Sequence, residues 1–290
     1  MIVFLNGAFV PEEEATISVF DRAFLYGDGL FETLRLYQGE PFRWDQHLSR
    51  LRSGAEFLKI RLPFSPDELR LRLHELIRRN NATESAVRIV LSRGSGPRGY
   101  SPKGADCPVL IMSLHPAPQI SAERPPQWRL LTASLRLLAD DPLARFKTCN
   151  KLRHVLARSE ADQGGANEAL LLNASGEVAT AASANVFWIS EGKVWTAPLA
   201  GGALPGVTRS VIFEVCQASG LPCQEQRIGP EVLFKTEGVF LTLSTLGVVE
   251  ATSLDGRPLA RSTLTSRIHQ AYQALIARET ACRERASAST

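Results

Sequence analysis

The sequence predicts a mixed α/β chain of two domains, a small N-terminal one and a larger C-terminal one. Three observations predict it. The chain has 290 residues, which at roughly 100–200 residues per domain makes one large domain or two medium ones. Strand-like runs alternate with apolar stripes of helical period. Between them lies HPAPQISAERPP at 115–126, with four prolines and little apolar content. It reads as a linker, 116–126, dividing residues 1–115 from 127–290.

The elements follow in order. Ile2-Val-Phe-Leu5, the turn pair Asn6-Gly7 and Ala8-Phe-Val10 read as a β-hairpin. A loop carries Asp21-Arg-Ala and Tyr26-Gly-Asp-Gly29, and a strand runs from Leu30 to Tyr37. His47 to Leu58 is helical, with Leu48, Leu51 and Ala55 on one side. Ser65-Pro66-Asp67-Glu68 starts the next helix: Ser65 caps, Pro66 suits the first turn and Glu68 completes a capping box. Its stripe is Leu69, Leu73, Leu76 and Ile77. Strands at Ala86 to Ser92 and Pro108 to Leu114 flank a glycine-rich loop, Arg93-Gly-Ser-Gly-Pro-Arg-Gly-Tyr100. After the linker come a strand at 128–136 and a helix from about Asn150 to Gly164, read with Leu152, Val155 and Leu156 inward. Strands follow at 168–173, 177–180, 185–189 and 193–196. A helix opens after Leu204-Pro-Gly206, then a strand at 238–243 and a helix from Leu264 to Arg278. Arg283 to Thr290 reads as a frayed tail.

Composition removes several function classes. With 44% hydrophobic and 22% charged residues, the chain is neither disordered, collagenous nor coiled coil. No apolar run approaches the ~20 residues of a membrane helix. The first residues lack the pattern of a secretory signal, so a cytoplasmic protein is expected. A net charge of +3 is too balanced for nucleic-acid binding by bulk electrostatics. The five cysteines (107, 149, 216, 223, 282) form no CxxC pair and read as reduced thiols. His47, His74, His115, His154 and His269 show no metal-ligand spacing and are expected at the surface or as caps, with His47 placed to help orient Arg50. No metal site is expected.

Only six of the 33 basic residues are lysines, at 59, 103, 147, 151, 193 and 235. An arginine cannot serve as an amine nucleophile, so the candidates for one are few. Taken alone, Lys147 and Lys151, four apart at a helix entrance, fit solvated charges better than a catalytic amine. Leu204-Pro-Gly-Val-Thr-Arg209 is either an ordinary helix start or an anion site made by free amides at a helix N-terminus. The 93–100 loop is either a second anion loop or a hairpin connection.

Their order decides more than any one of them. Asp21-Arg-Ala, Tyr26-Gly-Asp-Gly-Leu-Phe-Glu-Thr33, His47-Leu-Ser-Arg-Leu51, Lys147-Thr-Cys-Asn150, Glu168-Ala-Leu-Leu-Leu-Asn173, Asn185-Val-Phe187 and Leu204-Pro-Gly-Val-Thr-Arg209 together resemble the class IV aminotransferases. These are the fold-type IV pyridoxal 5′-phosphate (PLP) enzymes, which include branched-chain and D-amino-acid transaminases and 4-amino-4-deoxychorismate lyases. The resemblance covers residues 2–275. It implies two α/β domains with PLP between them and a homodimer in which Tyr26 to Phe31 lies near the neighbouring site. It implies that Lys147 condenses with the cofactor aldehyde and moves the substrate proton. Arg50 matches the arginine paired with the cofactor phosphate. Val207 and Thr208 match the pair whose amides hold it, and Ser244 a further hydroxyl contact.

One position departs from the family. The glutamate that pairs with the pyridine nitrogen stands five residues before the Asn of Asn-Val-Phe, and here that residue is Thr180. Glu177 is three residues away and faces the other side of a regular strand, unless a bulge intervenes. A hydroxyl cannot hold a pyridinium, so the electron sink is expected to be weaker, which harms transamination more than elimination. Leu91 to Ser101 is very similar to the corresponding loop of bacterial 4-amino-4-deoxychorismate lyases. It suggests Arg98 and, beside it, Tyr100 as substrate contacts; Phe31 is a further substrate-binding candidate. Lys151, four residues after Lys147, is a second cation able to depress its pKa. The leading expectation is a 4-amino-4-deoxychorismate lyase that yields 4-aminobenzoate and pyruvate, a step toward folate. The alternatives are a transaminase of branched-chain L-amino acids or D-amino acids, and a PLP-binding protein without efficient catalysis.

Overall fold

The computed structural model describes residues 1–287, with side chains to residue 281. The chain folds as two units. The first comprises Met1–Ala117, Phe146–Lys151 and the C-terminal end from Glu279; the second comprises Pro118–Arg145 and Leu152–Arg278. Segment 146–151, which carries Lys147, thus belongs with the N-terminal unit, whereas the sequence reading placed it in the C-terminal domain. Its hydrogen bonds, described below, are the reason.

In the first unit, β1 (Ile2–Leu5) and β2 (Ala8–Pro11) turn through Asn6 and Gly7. Both have positive φ, 48° and 99°, the geometry that tight hairpins demand and Asn-Gly supplies. A short helix, α1 (Arg22–Tyr26), stands where the sequence predicts a loop; Asp21 caps it and Gly27 ends it in the left-handed region. Five residues are too few to show a helical stripe. Then come β3 (Gly29–Tyr37), β4 (Glu40–Pro41), α2 (Trp44–Leu58), α3 (Pro66–Arg79), β5 (Ser85–Ser92) and β6 (Val109–Pro116). The sheet order is β2-β1-β6-β5-β3-β4, antiparallel throughout.

Two-residue alternation along β3 and β5 sends Leu30, Leu34, Leu36, Val87, Ile89 and Leu91 into one core with Leu48, Leu51, Leu69, Leu73 and Leu76 of α2 and α3. Each fully buried side chain of this kind contributes about 1.5–3 kcal/mol. The expected capping box of α3 is present between Ser65 and Glu68. Gly54 lets α2 approach β3, since a Cβ there would sit 2.8 Å from Leu30 Cδ2.

The second unit contains β7 (Gln127–Leu137), α4 (Leu152–Gln163), β8 (Glu168–Asn173), β9 (Val178–Ala181), β10 (Asn185–Ser190), β11 (Lys193–Thr196), α5 (Val207–Ala218), β12 (Cys223–Glu225), β13 (Gly238–Leu243), β14 (Gly247–Leu254), β15 (Arg257–Pro258) and, as far as Arg278, α6 (Thr263–Ser287). The strand order is β12-β11-β10-β13-β14-β7-β8-β9, with β15 paired to β14. The sheet is mixed: β14–β7, β7–β8 and β11–β12 are parallel. The sequence missed β12, β14 and β15. The first five residues of β14 are all buried, which removes the alternation that marks a one-sided strand.

Two other expectations are corrected. Leu152, Val155 and Leu156 do not point inward; they are 65%, 60% and 48% exposed. The buried face of α4 is Ala157 and Ala161, packed with Ala133, Ala169, Leu171 and Ala179. Small residues on both sides let the helix lie close to the sheet, and the larger apolar residues are left on the outer face. The frayed tail is helical as far as Ser287, because α6 continues past Arg278; residues 288–290 lie outside the described part. Among the described residues no helix is long and apolar enough to cross a membrane.

Candidate active site

Three backbone contacts position the reactive segment. Phe31 N donates to Lys147 O at 2.9 Å, Cys149 N donates to Gly29 O at 2.8 Å, and Leu30 bridges Thr148 in antiparallel register. Residues 146–151 are thus a strand-like addition to the start of β3, and Lys147 leaves it beside Phe31. Its Nζ stands 4.6 Å from the Phe31 ring centroid. Burial first, and then the Arg50 charge, hold the Lys147 amine down to about 7; Glu32 acts in the opposite sense, and Lys151 and Arg88 lower it again. An amine that is substantially neutral near pH 7 can act as nucleophile and as base.

The same strand carries Glu32 on its helix-facing side, where its neighbours in alternation are Leu30 and Leu34. Both Glu32 oxygens are paired. Arg50 donates Nε to Oε1 and Nη2 to Oε2, each at 2.7 Å, and His47 Nδ1 lies 2.7 Å from Oε2. His47 and Arg50 stand one turn apart on α2, which Gly54 brings close to β3. Despite its burial, Glu32 is held down to about 2, chiefly by Arg50. Burial pushes His47 down, so the ring is neutral and Nδ1–H donates to the carboxylate. His47 and His269, expected at the surface or as caps, are in fact buried; among the described residues no group of acidic, histidine and cysteine side chains could hold a metal.

Arg88, which the sequence reading did not select, lies on the other face of the sheet. Its guanidinium stands 3.7 Å from the Phe31 ring centroid, so Arg88 and Lys147 share one aromatic ring. Burial lowers its pKa. Among the described residues its side chain donates to Thr33 Oγ1 at 3.4 Å and pairs with no carboxylate. The only sequence signal was a charged residue inside an apolar strand.

The 93–100 loop is pinned from within the first unit. Arg22 donates to Asp28, to Gly99 O and to Tyr100 O at 2.9–3.0 Å. Arg93 forks onto Asp28 and reaches the carbonyls of Leu58 and Lys59. The Tyr26 ring meets the Tyr100 ring edge-on. Gly94 is obligatory, because a Cβ there would lie 1.8 Å from Cys107 O. Arg98 and Tyr100 themselves are exposed. The structure therefore brings Phe31, Arg50 and Lys147 together, and leaves Arg98 and Tyr100 on a separate, outward-facing loop.

In the second unit Gly206 is the N-cap of α5 and brings no side chain to the first-turn amides, which include those of Val207 and Thr208. Thr208 Oγ1 lies 3.5 Å from Ser244 Oγ. Asn185 Nδ2 donates to Leu204 O at 2.9 Å and so holds the turn that enters the helix. Thr242, paired with Asn185 across β10 and β13, is buried with no hydrogen-bond partner for its hydroxyl. Uncapped amides and two adjacent hydroxyls make a donor set suited to a phosphate.

Thr180 lies on β9 and donates Oγ1–H to Ala184 O at 2.8 Å. A bulge does interrupt β9 opposite Leu171 and Leu172. Even so, Glu177 does not stand in for the missing carboxylate: Asn173 Nδ2 and Arg227 Nη1 take it up at 2.8 and 2.9 Å.

The residues of each unit fit PLP: the first holds a depressed, buried amine suited to its aldehyde and an arginine suited to its phosphate, and the second an uncapped helix start suited to a phosphate. Known proteins agree. A D-alanine aminotransferase of Bacillus licheniformis is 30% identical over 285 residues, 97% of this chain and 99% of that one. The solved branched-chain amino acid aminotransferase of Escherichia coli superposes with a TM-score of 0.89 at 28% identity, covering 94% of each chain. A Legionella pneumophila structure described as a candidate 4-amino-4-deoxychorismate lyase gives 0.81 at 28%, covering 89% of this chain and 95% of that one. The family model for class IV amino-transferases matches residues 29–254. The chain belongs to the class IV aminotransferase family and is a PLP-dependent enzyme.

Proposed function

We propose that this enzyme is a 4-amino-4-deoxychorismate lyase, releasing pyruvate and 4-aminobenzoate in a step toward folate. The observation that carries this is Thr180. Its hydroxyl hydrogen is directed to Ala184 O, which leaves only neutral lone pairs to offer, and the nearby Glu177 carboxylate is engaged elsewhere. A neutral acceptor stabilises a protonated pyridine far less than a carboxylate does. Elimination that ends in an aromatic ring tolerates that loss better than transamination does. The similarity of Leu91 to Ser101 to the corresponding loop of such lyases supports the same reading.

Bound PLP supplies a covalent hold on the substrate amine and the electron withdrawal that acidifies the adjacent C–H. The rest falls to the chain. Lys147 Nζ takes the ring proton as the C–O bond to the enolpyruvyl group breaks, the bonding electrons leave with the oxygen as enolpyruvate, and that enolate takes up a proton at its methylene carbon to become pyruvate. Arg50, Val207, Thr208 and Ser244 hold the phosphate. Arg88, half-buried and without a carboxylate partner beside Phe31, binds a substrate carboxylate. Arg98 and Tyr100, exposed on their outward-facing loop, would serve as substrate contacts for the neighbouring subunit of the proposed dimer rather than beside Lys147.

The purified, PLP-saturated enzyme given 4-amino-4-deoxychorismate should release pyruvate and 4-aminobenzoate in equal amounts over many turnovers. No release overturns the reading. The second reading, transamination of branched-chain L-amino acids or D-alanine, is favoured by the activities named for the relatives. Oxo-acid formation from those amino acids would establish it.

The proposed assembly is a homodimer in the cytoplasm. Its support is the exposed apolar surface of each unit: Val19, Phe20 and Phe24 in the first, Leu152 and Val155 in the second. Light scattering that gives the mass of one chain would rule the dimer out.

A further inference from the structure

We propose that Glu32 is the positioning residue of the lysine centre: its one buried carboxylate fixes both the direction of the Arg50 guanidinium and the charge that Lys147 faces. The inference rests on Lys147 as the cofactor-bearing amine and Arg50 as a phosphate partner, and it adds a residue that touches neither cofactor nor substrate.

The argument begins with cost. Glu32 is 0% exposed and stands in a strand face that is otherwise leucine. An ionised carboxylate is retained there only if its oxygens are fully paired. The pairing is selective. A two-point fork onto Nε and Nη2 of Arg50 removes the rotation that a lone guanidinium would keep. The His47 Nδ1 contact secures the second oxygen against the same helix. Because His47 is neutral, the triad contains one full positive charge and one full negative charge.

Lys147 faces that pair together with Lys151 on its own segment and Arg88 on β5; Cys149, whose thiol is pushed up by burial, stays neutral. Three of the charged neighbours are cations. Glu32 is the anion that offsets them. Without it, Lys147 would face Arg50, Lys151 and Arg88 with the Glu32 charge removed from among them, and Arg50 would lose the fork that aims it.

The test uses the full-length chain with Glu32→Gln and Glu32→Asp. Two quantities are read: the PLP dissociation constant, and, after PLP is removed, the pH midpoint for acylation of Lys147, measured on its peptide by mass spectrometry. Glu32→Gln should weaken PLP retention roughly tenfold and lower the midpoint by about one pH unit, the order expected for losing one full charge a few ångströms away. Glu32→Asp keeps the charge on a shorter stem, so retention should weaken while the midpoint stays put. A merely structural role would move both variants alike. An unchanged midpoint in Glu32→Gln, or the same midpoint shift in both variants, overturns the proposal. Should Glu32→Gln fail to fold by circular dichroism, Glu32→Asp decides: weaker retention at an unchanged midpoint supports it, and wild-type retention overturns it. Lys147→Ala is run in parallel. If that variant still attaches PLP covalently, the assignment of Lys147 fails, whatever Glu32 does.

Discussion

Gly206→Ala isolates the helix start from everything else in the site. Gly206 has φ −67° and ψ 136°, a conformation open to any residue, so alanine brings no backbone strain. The whole effect is contact. A Cβ there would meet Asn185 Oδ1 at 2.1 Å, more than about 1 Å inside ordinary contact. Asn185 is 7% exposed and donates to Leu204 O at 2.9 Å. Either Asn185 withdraws and leaves a buried amide and carbonyl unpaired, or the first turn of α5 shifts. The first costs about 1–3 kcal/mol, and in a protein of this size each kcal/mol lowers Tm by roughly 2–4 °C. A fall of about 4–8 °C is therefore expected, from ~2 kcal/mol at the middle of that range. PLP should dissociate roughly tenfold more readily if the amides of Val207 and Thr208 are displaced. Thermal unfolding and fluorescence titration with PLP read the two effects. In an Asn185→Ala background the clash is gone, and adding Gly206→Ala should change Tm by less than about 2 °C. A single variant with wild-type Tm and wild-type PLP affinity would refute the claim that this turn is held by Asn185.

The remaining expectations concern ionisation and charge. Because Lys147 is held down to about 7 by burial and then by Arg50, acylation of Lys147 in the PLP-free protein should speed up tenfold per pH unit as pH climbs toward that value and level off above it; a rate still climbing tenfold per unit well above it would refute the depressed amine. The same shift affects stability without PLP. Between about 7 and 10.5 the unfolded chain keeps the Lys147 proton and the folded chain does not, so stability should rise with pH across that window. Urea unfolding of the PLP-free protein at two pH values checks the sign. Arg88→Gln should raise KM for a carboxylate substrate by roughly 10–100-fold with little change in Tm, and an unchanged KM would remove Arg88 from the substrate site.

Local chemistry was legible in the sequence. Asn6-Gly7 dictated its hairpin, and Ser65 to Glu68 their capping box, because both act within four residues. The stripe of α3 announced its buried face in the same way. The ordered motifs identified the family, and through it Lys147 as the amine. Signals failed where burial is not one-sided. The largely buried strand β14 has no alternation to read, and α4 packs through alanines while its leucines face outward.

What the sequence determined was composition, period and caps, the family, and the scarcity of lysines that made Lys147 stand out. What only the tertiary structure decided was company. Residues 146–151 add to the start of β3, Lys147 pairing with Phe31 from 116 positions along the chain (147 − 31), and that pairing sets Lys147 beside Phe31. Gly54 lets α2 close on the strand, and so a glutamate in a leucine face meets an arginine and a histidine. Burial and neighbouring charge are properties of the folded chain. They turn an ordinary lysine into an amine that loses its proton near neutral pH.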